Sequence, residues 1–331
     1  MKILVTGACG FIGSHLVEKL VKQNYKVKAF TFYNARGSNG WLDNVDKKII
    51  KNLEIVSGDI RDQEFVFNNT KKVDIIFHLA ALIGIPYSYH ASKSYIDTNI
   101  NGTYNILNAA KINNISKTII TSTSEVYGTA QTVPITEKHR LNAQSPYAAS
   151  KIGADQLAMS FYRSFGLPVT IIRPFNTFGP RQSARAIIPS IITQINNHKN
   201  LIKVGNLKPT RDFTYVEDTA DAYITTIKNN NISGETINLG NNFEVSINSI
   251  LKILKKDFGY KFDVVIDKKR VRANNSEVKR LLASNSKAKK ILKWRPKHGG
   301  LKGFKKGLEK TINWFDNPKN LKFYNSDIYS I

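Results

Sequence analysis

Two side chains four residues apart indicate where chemistry would take place. Tyr147 and Lys151 stand in the segment SPYAASK, and on a helix this spacing places both on one face. A nearby ammonium stabilises a phenolate and lowers a phenol pKa that is otherwise about 10. The phenolate can accept a hydroxyl proton while hydride leaves the same carbon for a nicotinamide. The pair therefore predicts an alcohol oxidation, unless it belongs to an ordinary amphipathic helix with one exposed lysine.

A second candidate site lies near the amino terminus, in the segment VTGACGFIGSHL. Gly7 permits a tight turn after an apolar strand, Gly10 lets a diphosphate approach the backbone, and Gly13 lets strand and helix pack closely. The free amides at the start of the helix, around Phe11 and Ile12, would face the phosphates. A glycine triplet between a strand and a helix predicts dinucleotide binding.

The end of the second predicted strand leaves the choice between NAD and NADP open. The segment KAFTFYNARG has Thr31 at the position where an acid would hold the ribose hydroxyls of NAD. The missing carboxylate removes a repulsion against a 2′-phosphate, and Arg36 could pair with one. Arg36 could equally be a loop cation, so we expect either NAD or NADP as cofactor.

Predicted strands and helices must position these residues, and they alternate along the first half of the chain. Short β-rich runs are separated by amphipathic helical segments such as 11–24. This alternation predicts a Rossmann-type α/β fold, a doubly wound parallel sheet with helices on both faces. We expect a dinucleotide-binding domain over 1–175, with a later strand and helix from about 210–245. A smaller α/β carboxyl-terminal substrate lobe is expected over 176–209 and 246–331. Strands are predicted at 2–7, 26–31, 53–59, 74–80, 117–123, 168–175 and 236–240, and helices at 96–113, 247–259 and 306–316.

Composition narrows the class of protein. The chain is 41% hydrophobic and 22% charged, as in soluble globular proteins, and a single cysteine excludes an internal disulfide. No apolar run resembles a signal peptide or a membrane span, so we expect a cytoplasmic protein without membrane contact. The 49 basic and 25 acidic residues give a net charge of +24, but the basic clusters are short and lack interleaved aromatics. We expect a solvated basic surface that favours an anionic substrate, without nucleic-acid binding. No metal site is expected.

In its GxxGxxG spelling and its later Tyr-x-x-x-Lys pair, the chain resembles the extended short-chain dehydrogenases/reductases, the NAD-dependent epimerase/dehydratase family. The resemblance implies that Thr123 holds the substrate oxygen beside Tyr147 and Lys151. It also implies cofactor contacts at the ends of later strands, at Asp59, Ile60, Leu79, Ala80, Ala81 and Asn99.

The segment TSTSEVYG (121–128) narrows the resemblance further. A glutamate beside this threonine resembles nucleotide-sugar 4,6-dehydratases, with Thr-Asp-Glu in the dTDP-glucose members and Thr-Ser-Glu, as here, in GDP-mannose dehydratases. In that reading oxidation at C4 makes the C5 proton acidic, Glu125 removes it, and the C6 hydroxyl is eliminated. Serine is a poor general acid, so the proton for the leaving hydroxyl comes from Glu125 or through a water held by Ser124. Alternatively, Glu125 only caps a surface turn.

Three alternatives stay open. UDP-glucuronate decarboxylases share the stretch Ser-Glu-Val-Tyr-Gly, but their active-site helix typically reads Tyr-Asp-Glu-Gly-Lys, against Tyr-Ala-Ala-Ser-Lys here, which favours dehydration. Many nucleotide-sugar 4-epimerases carry small or polar residues in place of Glu125. A regulator that only binds NAD(P) would need none of Thr123, Glu125, Tyr147 and Lys151.

The substrate end also carries family-like segments. The loop RPFNTFGPRQSARAIIP (173–189) resembles the family's substrate loop, in which Asn176 would donate to the diphosphate or sugar and Arg185 would contact substrate. Relatives clamp the nucleotide diphosphate with arginines in motifs like PTRDFTYVED and RVRANNSEV, whose planar fork matches phosphate oxygens. By this resemblance Arg211, Arg272 and Glu277 are substrate-binding residues.

The segment TFYNARGSNGWLDN, together with the substrate loop, most closely resembles the N-acetylglucosamine nucleotide 4,6-dehydratases of legionaminic acid pathways. Those enzymes act on a GDP- or UDP-linked sugar and yield a 4-keto-6-deoxy product. They commonly form homodimers through a bundle of active-site helices, for which 94–111 and 150–165 are the predicted segments. The apolar stripes of these segments could equally be core.

Overall fold

The computed structural model describes residues 1–198 and 200–325. Lys199 and residues 326–331, which belong to the expected substrate lobe, lie outside the described residues. The strands are β1 (Lys2–Thr6), β2 (Lys26–Phe32), β3 (Leu53–Gly58), β4 (Ile75–His78), β5 (Lys117–Thr121), β6 (Val169–Pro174), β7 (Asn176–Phe178), β8 (Leu201–Val204), β9 (Thr210–Tyr215), β10 (Thr236–Leu239), β11 (Glu244–Ser246), β12 (Asp263–Ile266) and β13 (Arg280–Leu281).

Helices connect the strands and cover the sheet. They are α1 (Phe11–Lys22), α2 (Lys47–Ile50), α3 (Gln63–Thr70), α4 (Ile85–His90), α5 (Ser92–Tyr95), α6 (Gly102–Ile112), α7 (Pro146–Phe165), α8 (Ile187–Asn196), α9 (Val216–Lys228), α10 (Ile247–Asp257), α11 (Gly300–Phe315) and α12 (Pro318–Leu321). Short 3₁₀ turns lie at Gly40–Asn44, Ser124–Tyr127 and Lys268–Arg270, and π-helical turns at Ile96–Asn101 and Ala288–Leu292.

Within the described residues, the larger sheet has seven parallel strands in the order β10-β6-β5-β4-β1-β2-β3. Successive side chains of a strand point to opposite faces, and β1 is apolar on both. Ile3 and Val5 pack in a core cluster with residues of α1 and α9, whereas Leu4 packs with residues of α6 and α7. A sheet covered by helices on both faces confirms the predicted Rossmann-type fold.

The second half of the chain builds smaller sheets. One has the order β11-β9-β13, with β7 also paired to β9, and β12 pairs with β8. Helices α8, α10 and α11 share a separate apolar cluster with these strands. Strand β10 joins the larger sheet, whereas β9 lies in the smaller one. The expected division into a dinucleotide domain and a substrate lobe stays a prediction.

Candidate active site

A cleft of about 1180 Å³ lies where the strands of the larger sheet end. Its walls include the last residues of β2 and the residues that directly follow β1 and β3 to β6, and ligands of doubly wound sheets bind outside these carboxyl ends. Most of the predicted site residues line this cleft: Gly7, Gly10, Phe11, Ile12, Gly13, Thr31, Asp59, Ile60, Leu79, Ala80, Ala81, Thr123, Ser124, Glu125, Tyr147, Lys151, Asn176, Arg185, Arg211, Arg272 and Glu277.

The glycine turn is packed too tightly for other side chains. Gly7 has a φ of +68°, and a Cβ there would stand 2.8 Å from the amide nitrogen of Ala80. A Cβ on Gly13 would stand 2.2 Å from the carbonyl oxygen of Gly7. Helix α1 begins directly after this turn, with no acidic residue in its first turn. Its free amides therefore fit the diphosphate of a dinucleotide.

At the end of β2, where the sequence placed Thr31 and Arg36 beside the ribose, only Thr31 lines the cleft among the described residues. Thr31 is buried, and its Oγ1 is 2.7 Å from Ser57 Oγ on β3. Arg36 is exposed and lies outside the cleft wall among the described residues. The following loop instead brings Trp41 and Asp43 to the cleft, and the Trp41 amide donates to the Cys9 carbonyl at 3.0 Å. Sequence reasoning missed Asp43 because it follows β2 by more than a turn.

Asn99 is buried and forms hydrogen bonds to Leu82, a residue of the cleft wall, and to Ser150 on α7. Its Nδ2 donates to the Leu82 carbonyl at 3.0 Å and to Ser150 Oγ at 2.9 Å, and its Oδ1 accepts from the Leu82 amide at 2.9 Å. These bonds join the loop after β4 to α7. The predicted contact of Asn99 with the cofactor stays a prediction, because its buried amide is not part of the cleft wall described here.

The start of α7 places the Tyr147–Lys151 pair. Ser145 caps the helix, its side chain accepting from the Ala148 amide at 3.1 Å, and Pro146 occupies the first turn. The first two turns then carry Tyr147 and Lys151 into the cleft, both almost fully buried. Lys151 Nζ donates to the Thr121 carbonyl at 2.6 Å.

The turn after β5 brings the carboxylate of Glu125 to the cleft. Thr123 Oγ1 accepts a hydrogen bond from the Glu125 amide at 3.2 Å and so begins the 3₁₀ turn Ser124–Tyr127. Thr123 and Ser124 are buried, and the half-buried Glu125 lines the cleft. The carboxylate of Glu125 lies close enough to Tyr147 and Arg211 to influence the pKa of each.

The pKa of Tyr147 differs in direction from the sequence prediction, and the pKa of Lys151 is also shifted. Burial raises the pKa of Tyr147 well above its ordinary value, and the hydrogen bond with Thr123 opposes this only in part. Burial also lowers the pKa of Lys151 to about 8, against which the charge of Asp155 acts. The predicted lowering of the phenol pKa is therefore wrong. A buried phenolate is poorly solvated, and the Lys151 ammonium is bonded to a carbonyl.

Three of the five predicted substrate residues, Arg211, Arg272 and Glu277, come together. Glu277 Oε1 lies 3.3 Å from Arg211 Nη2 and 3.9 Å from Arg272 Nη1. Arg211 is buried, and burial lowers its pKa. Two arginines that share one carboxylate keep a net positive charge, which suits an anionic ligand.

Buried polar atoms around this cluster have no protein hydrogen-bond partner within the described residues. They are Asn176 Oδ1, Gln182 Oε1 and Arg272 Nη1, and all three residues line the cleft. Buried polar groups are normally satisfied, so these atoms fit a polar ligand. Gln182 was missed by sequence reasoning, although the GPRQ stretch stood inside the selected loop. Arg185 lines the cleft but is exposed, with its Nε 3.2 Å from Ser183 Oγ.

Neither a membrane-spanning helix nor a metal-binding cluster is present in the described residues. Over residues 1–198 and 200–325, no helix is long and apolar enough to cross a membrane. The same residues contain no cluster of three or more histidine, cysteine or acidic side chains arranged to hold a metal ion.

The chain is similar to a family of nucleotide-sugar enzymes. The family model described as GDP-mannose 4,6 dehydratase matches residues 4–310. The chain is 31% identical to dTDP-D-glucose 4,6-dehydratase of Homo sapiens, over 97% of this chain and 93% of that protein. It is 32% identical to UDP-N-acetyl-alpha-D-glucosaminuronate decarboxylase of Bacillus cytotoxicus, over 96% of this chain and 99% of that protein.

Among solved structures, UDP-glucuronic acid 4-epimerase from Bacillus cereus, in complex with UDP-glucuronic acid and NAD, matches with a TM-score of 0.85. That match has 28% identity and covers 98% of this chain and all of the other. Relatives of this fold thus include dehydratases, decarboxylases and epimerases of nucleotide sugars. From the family model and these relatives, the chain belongs to the GDP-mannose 4,6-dehydratase family, within the NAD-dependent epimerase/dehydratases of the extended short-chain dehydrogenase/reductase superfamily.

Proposed function

We propose that this protein is a nucleotide-sugar 4,6-dehydratase, a hydro-lyase acting on a GDP- or UDP-linked hexose. N-acetylglucosamine is the proposed sugar, as in the legionaminic acid enzymes that its loops resemble. The observation that carries the proposal is that Glu125 lines the same cleft as Tyr147 and Lys151. An epimerase needs only the oxidising pair, whereas elimination of water needs a further base beside it.

The cleft fits a bound dinucleotide, through the glycine turn and the free amides of α1. Bound there, NAD(P) would supply the hydride acceptor for C4 oxidation and the hydride donor for C6. Gly7 packs against the backbone of Leu79 and Ala80, which follow β4, and Gly13 on α1 packs against the Gly7 carbonyl, so that the diphosphate can approach the backbone. Whether the ribose carries a 2′-phosphate depends on the loop that contains Arg36 and Asp43.

In the proposed mechanism, Tyr147 removes the proton of the 4-hydroxyl. Thr123 holds the same oxygen, and Lys151 supplies positive charge beside it. Because burial disfavours the phenolate, the positive charge of Lys151 is the proposed source of assistance for its formation. Oxidation at C4 then makes the neighbouring C5 proton acidic.

Glu125 removes the C5 proton and passes a proton to the departing C6 hydroxyl, which leaves as water. Ser124 is buried beside it and is the proposed holder of a water for this transfer, because a serine hydroxyl is itself a poor acid. C5 regains a proton from solvent when hydride reaches C6. No net oxidation takes place, so no external oxidant is consumed.

The substrate's diphosphate is proposed to bind at Arg211 and Arg272, with Asn176 and Arg185 as further contacts. This placement is supported by the positive charge of two arginines around Glu277 and by Arg272 Nη1, which has an ion-pair contact to Glu277 at 3.9 Å but no hydrogen-bond partner among the described residues. The oxygens of a diphosphate can accept hydrogen bonds from the guanidinium groups of Arg211 and Arg272, as the carboxylate of Glu277 does for Arg211. The basic surface would raise the local concentration of such an anion.

A homodimer formed through α6 and α7 is part of the proposal. Helix α6 packs on α7, and exposed aromatic side chains lie on both helices: Tyr104 is 42% exposed and Phe165 55%. Sedimentation of the full chain at micromolar concentration would test it. A single species of about 37 kDa would contradict the dimer.

The test of the function is a panel of GDP- and UDP-linked hexoses, including N-acetylglucosamine and glucuronic acid, incubated with the protein and NAD or NADP. Mass spectrometry should find a product lighter by one water. Loss of carbon dioxide from the glucuronic acid substrate would instead assign a decarboxylase, as in the Bacillus cytotoxicus relative. A product of unchanged mass and inverted C4 would assign an epimerase.

A further inference from the structure

A second cavity borders the catalytic helix. It has a volume of about 220 Å³, and within the described residues it shares no wall residue with the cleft. Asp155 on α7 and Arg173 on β6 form part of its wall, both buried. A cavity of this size with charged walls has room for several water molecules, each taking about 30 Å³.

Asp155 is bonded on one oxygen only. Its Oδ2 accepts from Ser122 Oγ at 2.8 Å and from Arg173 Nη2 and Nε at 2.9 and 3.1 Å. Its Oδ1 is buried and has no protein hydrogen-bond partner within the described residues. The side chain is 1% exposed and lines the second cavity, so a water in that cavity is the candidate partner for this oxygen.

Asp155 stands one helical turn after Lys151, so both side chains share a face of α7. Lys151 is buried at the cleft, and Asp155 is the group whose charge favours its protonated form. In turn, the charges of Lys151 and Arg173 favour the ionised carboxylate against the effect of burial. The charged or titratable groups that interact with Asp155 are Tyr147 and Lys151 on its own helix and Arg173 on β6, and Glu137, His139 and Arg163 line the second cavity with it.

We propose that Asp155 is a positioning residue that keeps Lys151 protonated, and that Arg173 and water in the second cavity hold its carboxylate ionised. Asp155 lies outside the cleft wall of the described residues, and its charge acts on the catalytic pair: it favours the protonated form of Lys151 and also raises the pKa of Tyr147. The inference rests on the proposed function only as far as Tyr147 and Lys151 oxidise C4. It holds equally for a dehydratase, a decarboxylase or an epimerase.

The chain offers a matched pair of variants. Asp155→Asn removes the charge but keeps an oxygen that can accept from Arg173 and Ser122, and its amide nitrogen can face the cavity where Oδ1 has no protein partner. Ser122→Ala removes one hydrogen bond to the same carboxylate and keeps the charge. A purely structural role of the Asp155 cluster predicts similar effects from both.

The first measurement needs no turnover. The full chain without added cofactor is labelled with acetic anhydride across pH, and the rate at Lys151 is read from its peptide by mass spectrometry. The neutral amine is the reactive form, so the midpoint of the rate reports the protonation of Lys151. In Asp155→Asn this midpoint should fall by about one pH unit or more, the effect of a lost neighbouring charge, and in Ser122→Ala it should stay near wild type.

An unchanged midpoint in Asp155→Asn, or an equal shift in Ser122→Ala, would overturn the inference. If Asp155→Asn does not melt cooperatively, Asp155→Ser is measured by the same criteria. In turnover assays, the alkaline limb of kcat/KM should move to lower pH in Asp155→Asn only. Absence of any turnover would count against the proposed function and leave the labelling result readable.

Discussion

Lys151 on α7 donates from Nζ to the carbonyl of Thr121, the last residue of β5, at 2.6 Å. This bond joins the helix that carries Tyr147 to the strand end that leads into Thr123 and Glu125. The oxidising pair and the carboxylate therefore share one rigid frame. A change in either element would move the proposed base at C4 relative to the proposed base at C5.

Tyr147→Phe should abolish oxidation at C4, because the variant keeps the ring but has no group to accept the hydroxyl proton. We expect kcat to fall by about 10²- to 10⁴-fold or more, with cofactor binding retained. Stopped-flow absorbance should detect no reduced nicotinamide after substrate is added. The control is Tyr162→Phe, which removes a hydroxyl farther along the same helix; full activity in Tyr147→Phe would exclude the assigned role.

Arg211→Ala and Arg272→Ala should each weaken substrate binding more than they slow the chemistry. A charge-assisted hydrogen bond contributes about 1.5–3 kcal/mol, so KM should rise by roughly 10- to 150-fold while kcat changes less. Steady-state kinetics over substrate concentration separates the two. Arg295→Ala, an exposed arginine away from the cleft, is the control, and an unchanged KM in both cleft variants would remove the proposed diphosphate site.

Lys151→Met should stabilise the protein near neutral pH although it inactivates it. Burial lowers the pKa of Lys151 from 10.5 to about 8, which corresponds to about 3 kcal/mol against the charged form. Below pH 8 the lysine is charged in both folded and unfolded states, so this cost is fully present; it is relieved as pH rises from 8 towards 10.5. The Tm difference between variant and wild type should thus shrink between pH 7.5 and 10, and a constant difference would contradict the buried-charge argument.

The sequence was sufficient to predict the larger sheet and the glycine turn, because both depend on local patterns. Apolar runs after charged residues mark β1 and β4, and the Gly7 and Gly13 positions follow from a strand entering a helix. The helix predicted at 96–113 was correct in place but begins with a π-helical turn, which has no distinct sequence pattern. Strands β7, β8 and β11 to β13 were missed because two to four residues cannot show a periodicity.

The electrostatics of the site could not be predicted from local patterns. Asp155 and Arg173 each resemble an ordinary charged residue in sequence, and only tertiary packing brings them together behind Lys151. The pKa of Tyr147 was predicted in the wrong direction for the same reason, because the spacing of a tyrosine and a lysine does not reveal how deeply the phenol is buried. Trp41 contacts aromatic residues near the carboxyl terminus such as Trp314. This contact could not be predicted either, because the local sequence around Trp41 shows only a loop.

Glu125→Gln separates the dehydratase from its alternatives. The amide keeps the shape of the side chain but cannot act as a base at C5. Oxidation at C4 should therefore survive while elimination stalls, with dehydration slowed by about 10²- to 10⁴-fold. Reduced nicotinamide should accumulate on the variant and not on wild type. Ser124→Ala, at the neighbouring position, should slow dehydration less if Glu125 itself delivers the proton to the leaving hydroxyl.

The most direct measurement is mass spectrometry of the product formed in deuterium oxide from a GDP- or UDP-linked N-acetylglucosamine, by wild type and by Glu125→Gln. The wild type should give a 4-keto-6-deoxy sugar that has lost one water and carries one solvent deuterium at C5, and the variant should give almost none. Dehydration by Glu125→Gln at the wild-type rate would contradict the account. So would a wild-type product, from this or any nucleotide sugar accepted, that is only a C4 epimer or has lost carbon dioxide.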